Sequence, residues 1–193
     1  MFLLVAENEE EIITTIRSRC QLVKVPGIRP DILGEALARN PGTAGKNSGN
    51  LVHLIRGNYR KALKLAETAG DGKDNLTRFK ELMRLSYGRK FLDLFKWVDD
   101  ISGIGREKQK SFLQYALIQT RENFVYNLRQ PELVFLDEEE TAFSSRFSPY
   151  INERNVVPVA GELEKACVHI AMNGNPRIIF TDMVLKIVKL IRK

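Results

Sequence analysis

From Lys73 to the end of the chain, apolar residues recur at the spacing of one face of an α-helix, segment after segment. A chain written this way can bury those faces only by packing helices on one another. Phe79, Leu82 and Met83, then Phe91, Leu94, Phe95 and Val98, keep the i, i+3, i+4, i+7 interval. Residues 106–129 allow six turns or more, with Leu113, Ala116, Leu117, Thr120, Phe124 and Leu128 along one stripe. Leu163, Ala166, Cys167, Ile170 and Ala171 mark another. Asn173-Gly174 is a helix-ending pair, and Asn175-Pro176 caps and opens a last helix to Arg192. No repeat period or low-complexity segment interrupts the pattern, so residues 73–193 are expected to form an all-α bundle.

The first 72 residues are written differently. Phe2-Leu3-Leu4-Val5-Ala6 is a continuous apolar run of the kind found in buried strands. A short helix is expected at Asn8–Arg17, with Asn8 as its cap and Glu9, Glu10 and Glu11 in its first turn. Gln21-Leu22-Val23-Lys24-Val25 reads as a second strand, stopped by Pro26-Gly27. Strand, helix and strand make residues 1–26 the tail of an α/β unit. The two strands are expected to pair with each other, to pair across a dimer, or to be poorly ordered. Residues 27–72 then read as a small three-helix unit: Asp31–Arg39 opened by Pro30, about 49–56 after a Gly/Asn-rich loop, and Tyr59–Thr68. Gly70-Asp71-Gly72 is a plausible hinge.

Composition excludes several function classes. No apolar run approaches the roughly 20 residues a membrane helix needs, and the N-terminus lacks secretory-signal order, so the cytoplasm is expected. Cys20 and Cys167 form no CxxC pair, and with only His53 and His169 besides there is no metal-ligand spacing. Both cysteines are read as reduced, interior and metal-free, and both histidines as surface or boundary residues. The net charge of +6 invites a nucleic-acid reading. However, residues 1–73 hold 11 Lys and Arg against 8 Asp and Glu, residues 74–193 hold 19 against 16, and the signs are interspersed. That favours a mixed solvated surface. Asp137-Glu138-Glu139-Glu140 could suggest paired catalytic carboxylates, but consecutive residues project around a helix instead of converging, so a solvated helix N-terminus is expected.

The segment richest in information is FLLVAENEEEIITTIRSRCQLVKV, residues 2–25. Its strand, polar turn, short helix, Ser18-Arg19-Cys20 and second strand resemble the end of the AAA+ domain in clamp-loader subunits, above all the delta-prime subunits of the bacterial DNA polymerase III loader. In that family the Ser-Arg-Cys motif points its arginine into a neighbour's nucleotide site. The resemblance thus implies that Arg19, flanked by Ser18 and Cys20, is a trans-acting arginine finger. A planar, permanently charged fork suits phosphate oxygens as charge shifts during hydrolysis. The alternative is that Arg17 and Arg19 merely complement the helix C-terminus.

Two further stretches carry the resemblance. Gly57-Asn58-Tyr59-Arg60-Lys61-Ala62-Leu63, preceded by Ser48-Gly49-Asn50-Leu51, is similar to the sensor-two helix of an AAA+ lid. That implies a nucleotide contact for Arg60, although a plain lid surface residue is the competing reading. Arg146-Phe147-Ser148-Pro149-Tyr150-Ile151-Asn152 and Asn173-Gly174-Asn175-Pro176-Arg177-Ile178-Ile179-Phe180 resemble the helical collar of delta-prime subunits. The family's phosphate loop, magnesium-binding acidic strand and zinc-binding cysteines have no counterpart here, and Glu7 and Asn8 stand where active loader ATPases have a small sensor residue.

The implied architecture is mainly α: an AAA+ α/β remnant at 1–26, a three-helix lid at 27–72 and a helical collar at 73–193. The implied role is that of a non-hydrolysing delta-prime-type subunit within the DNA polymerase III holoenzyme, contributing collar-mediated assembly and a trans arginine. It would not be an enzyme in isolation and would bind no cofactor itself, ATP and magnesium lying on partner subunits. Implied partners are the gamma/tau and delta-type loader subunits, with the sliding clamp and primed DNA reached through the assembled complex. A dimer through the exposed strands is a further option. Two competitors stay open: a piece of the ATP-hydrolysing gamma-type subunit, in which Arg60 would act on its own nucleotide, and a free-standing helical nucleic-acid-binding module.

Overall fold

The computed structural model describes residues 2–6, 12–39, 59, 69–129 and 133–192. Its α-helices there are α1 (Thr14–Arg17), α2 (Pro30–Arg39), α3 (Ala69–Tyr87), α4 (Phe91–Gly103), α5 (Arg106–Asn127), α6 (Glu138–Phe147), α7 (Val156–Ala171) and α8 (Pro176–Leu190). A 3₁₀ turn, Ser148–Tyr150, follows α6. The chain is mainly helical, and none of the described residues is in a strand.

Helix α5 is the centre of the bundle. It packs most extensively on α7 and also meets α3, α6 and the 3₁₀ turn, while α8 closes the other side against α7, α4 and α3. Phe112, Leu113 and Ala116 of α5 are fully buried among Phe79 and Leu82 of α3, Leu163 of α7 and Ile187 of α8. Trp97 of α4 meets Phe112 and Phe180 edge-on, with ring centroids 5.5 and 6.1 Å away. Each such side chain contributes about 1.5–3 kcal/mol on burial.

The helix ends follow local chemistry. The Asn175 side chain accepts from the backbone N–H groups of Arg177 and Ile178, with Pro176 in the first turn. After α7, Asn173 takes a left-handed conformation (φ +63°), and the Asn173 and Gly174 N–H groups donate back to the Ile170 and His169 carbonyls. This is the two-bond helix stop of the Schellman motif. A Cβ on Gly174 would lie 2.7 Å from Ile179 and 3.0 Å from the His169 carbonyl oxygen, so the close approach requires glycine. A distant residue completes the stop: the Arg106 guanidinium, at the start of α5, donates to the carbonyls of Ile170, Asn173 and Gly174, each at 3.2 Å.

Several expectations are corrected. Among the described residues the segments expected as strands, 2–6 and 21–25, do not pair with each other, and Phe2 and Val25 are 99% and 87% exposed. A strand exists only through inter-strand hydrogen bonding, and neither segment finds it in the other. Between them the described residues hold one helical turn, α1. Gly70-Asp71-Gly72, read as a hinge, lies in the first turn of α3. On α4 the buried stripe is Leu94, Trp97, Val98 and Ile101, while Phe91 and Phe95 remain 43% and 42% exposed, because α3 and α8 flank the other side. Leu128 falls beyond the end of α5 and is exposed. Cys20 is exposed and Cys167 half-buried, so the interior reading fails for Cys20.

Candidate functional site

The Ser18-Arg19-Cys20 motif closes α1. The N–H of Ser18 donates to the Thr14 carbonyl (2.9 Å), that of Arg19 to Ile16 (3.0 Å) and that of Cys20 to Arg17 (3.3 Å), while Ser18 Oγ donates to Thr15 O (3.2 Å). These bonds use up the turn's backbone groups and leave the three side chains exposed. Among the described residues no carboxylate pairs with Arg19 or Arg17, and neither guanidinium donates to the carbonyls that end α1. The motif therefore presents a solvated, permanently charged fork beside a hydroxyl and a thiol, a group able to meet an external anion. Arg60, Glu7, Asn8, His53 and the 40–48 loop lie outside the described residues. His169 is exposed on the last turn of α7, with no cluster of metal-ligating residues among those described.

The two collar-like stretches sit at opposite ends of the bundle. Residues 173–180 form the α7–α8 junction gripped by Arg106. Residues 146–152 form the turn between α6 and α7, held by two asparagines that sequence reading passed over. Asn127 Nδ2 donates to Ser148 O (2.7 Å) and Ile151 O (2.8 Å). Asn155, fully buried, donates to Tyr150 O (2.8 Å) and accepts from the Asn152 N–H (2.9 Å). Neither stretch holds a cluster of reactive groups, and both set how helices meet.

The acidic run at 137–140 is only half solvated, which corrects the sequence reading. Asp137 and Glu140 form a reciprocal capping box at the start of α6. Glu138 and Glu139 are exposed, with Glu139 3.1 Å from Lys80 Nζ. Glu140 instead turns inward and accepts from Tyr115 Oη (2.7 Å) and Gln119 Nε2 (2.6 Å). Burial raises its carboxyl above the ordinary range, with Asp137 and Glu122 adding repulsion, although the hydrogen bonds from Tyr115 and the Asp137 backbone work the other way. Burial, then the Glu140 charge, pushes the Tyr115 phenol up as well. Nearby Glu122, fully buried, accepts from the Phe135 N–H (2.9 Å) and from Arg121. Together the two glutamates tie the α5–α6 connection to α5. A serine or alanine stripe would have been as easy to read as helical, so nothing in the sequence marked these polar side chains as interior.

A carboxyl raised on folding stabilises the fold most when protonated, and that contribution is lost as pH rises through its folded-state value. Glu140→Gln is therefore expected to compare least favourably with wild type near pH 4.5, the gap in Tm narrowing toward pH 7. Thermal melts at several pH values check this, and a gap widening with pH would refute it.

No protein-family model matches the chain, and neither curated proteins nor solved structures gave a match. The sequence and the geometry above are the basis for any functional reading.

Proposed function

We propose that the chain serves in DNA replication as a non-hydrolysing subunit of delta-prime type in a bacterial polymerase III clamp loader. The observation that carries this reading is the Ser18-Arg19-Cys20 motif. It follows a short helix in a string that resembles the loader family, and its arginine is exposed and free of any carboxylate among the described residues. An arginine acting on a neighbour's nucleotide needs that freedom, because a partner carboxylate would compete with phosphate for the same fork. The helical bundle of α3 to α8 supports the assembly half of the reading, as a packed unit able to stand beside its counterparts in a ring.

Phe2, Leu3, Leu4, Val5, Leu22, Val23 and Val25 are all more than half exposed. In this reading that apolar surface is covered by the rest of a nucleotide-binding domain, or else by pairing in a dimer. Arg19 reaches ATP and magnesium held by a partner, and clamp and primed DNA are met through the complex.

Mixing the chain with purified gamma/tau and delta-type loader subunits tests the proposal. Co-elution as one complex on size exclusion, with masses from light scattering, is expected. A chain that elutes alone at micromolar concentrations would remove the assembly role. Binding of DNA by the chain alone, with affinity falling steeply with salt, would favour the nucleic-acid module instead.

A further inference from the structure

The interspersed charges of the sequence are sorted by the fold. Helices α3, α5 and α8, the 3₁₀ turn and the start of α7 meet at one end of the bundle. There Arg192 Nη2 donates to the Tyr87 carbonyl (2.6 Å), and Asn127 holds the 148–151 turn. The segments that converge there, residues 84–91, 126–129, 146–156 and 188–192, hold eight Lys and Arg against one carboxylate, Glu153. All eight cations are exposed and none has an ion pair among the described residues. Elsewhere on the bundle Arg78, Lys80, Lys96, Lys110, Arg177 and Lys186 are each paired.

Two of the eight occupy costly backbone. Arg89 and Arg129, just past the ends of α3 and α5, have φ of +52° and +54°. Glycine is the cheapest residue at such helix stops, and asparagine, used at Asn173, the next. Cations do complement helix C-termini, but that effect does not require them at the left-handed position. Two arginines held there, at the same end, point to a use for their side chains.

Between these cations lies a shallow cleft lined by Tyr87, Pro149, Tyr150, Asn152, Ile191 and Arg192. Tyr87 and Tyr150 are 41% and 40% exposed, with ring centroids 4.7 Å apart in an edge arrangement. The Arg192 guanidinium lies 4.8 Å over the Tyr87 ring, and Tyr150 stacks on Phe147 at 6.0 Å. With ring faces taken in this way, the tyrosines make a poor platform for stacked bases. Their edges and hydroxyls, with Asn152 and Arg192, give the cleft a mostly polar lining, and tyrosine and arginine are the residues that most often anchor protein contacts.

We propose that this end of the bundle docks an acidic segment of a partner protein, its carboxylates meeting Arg89, Arg129, Arg154 and Arg192 around the cleft. This surface is separate from the Arg19 motif and does not depend on the role proposed for it.

The test uses the whole chain and fluorescence anisotropy at physiological ionic strength. Its probes are a short labelled peptide rich in Asp and Glu and an oligothymidylate of equal length. The peptide is expected to bind, and Arg89→Gly with Arg129→Gly to weaken it about tenfold or more, since two of the cations that attract and orient the carboxylates are lost. The same double variant should melt no lower than wild type, because glycine relieves both left-handed positions. Arg154→Glu, with its side chain outside every internal hydrogen bond described, should act in the same direction. Absent peptide binding, binding unchanged in both variants, or tighter binding of oligothymidylate would each overturn the proposal.

Discussion

Replacing Arg19 with alanine, in a chain that carries a complete nucleotide-binding domain upstream, is expected to leave loader assembly intact while DNA-stimulated ATP hydrolysis collapses. Assembly should survive because the side chain is exposed and makes no contact described within the chain. Hydrolysis should fall because a fork on the transferring phosphoryl group is worth roughly 10³–10⁵ in rate in related chemistry, and a loader with several sites would show a smaller share of that from one of them. Clamp loading should fall with it. Arg17→Ala is the internal control, two residues away and also exposed, and it should be milder. Arg19→Lys separates charge from geometry: a point charge cannot bridge two oxygens, so most of the loss should persist. Wild-type hydrolysis by an assembled Arg19→Ala complex would end the finger assignment.

The second large effect concerns the bundle. Leu113→Asp is expected to abolish the cooperative unfolding transition of the chain. Leu113 is fully buried on the central helix α5, so the new carboxylate would have neither water nor a cation. Truncation of such a residue alone costs about 2–5 kcal/mol. An unpaired buried charge adds several more. The sum rivals the roughly 5–15 kcal/mol that holds a typical domain together. Leu113→Met, which nearly conserves volume, should cost less than about 1.5 kcal/mol. Circular dichroism during urea titration distinguishes the two, and a cooperative transition retained by Leu113→Asp would show that the site is far softer than its packing implies.

What was legible in the residues alone is what depends on near neighbours. Apolar spacing at Phe79, Leu82 and Met83, or at Leu163, Ala166 and Ile170, marks a helix because those side chains share a face within two turns. Asn173-Gly174 and Asn175-Pro176 announce a stop and a start because the cap bonds span only a few residues. The motif at 18–20 was visible for the same reason, as a string of adjacent residues.

The expected strands show the boundary of such reasoning. Phe2–Ala6 and Gln21–Val25 have strand composition, but a strand is a relation between two segments, and the described residues do not form it with each other. The inward turn of Glu140, the burial of Glu122 and the service of Arg106 to three carbonyls some 65 residues later are set by partners far along the chain. So is the sorting of charge. Cations and carboxylates alternate along the sequence, yet the antiparallel run of the helices brings the ends of α3, α5 and α8 together and with them the unpaired arginines. Local bonding chose the helices and their caps. Which faces are interior, and which charges stand side by side, was decided only when distant segments packed, because burial and electrostatic pairing depend on separation in space.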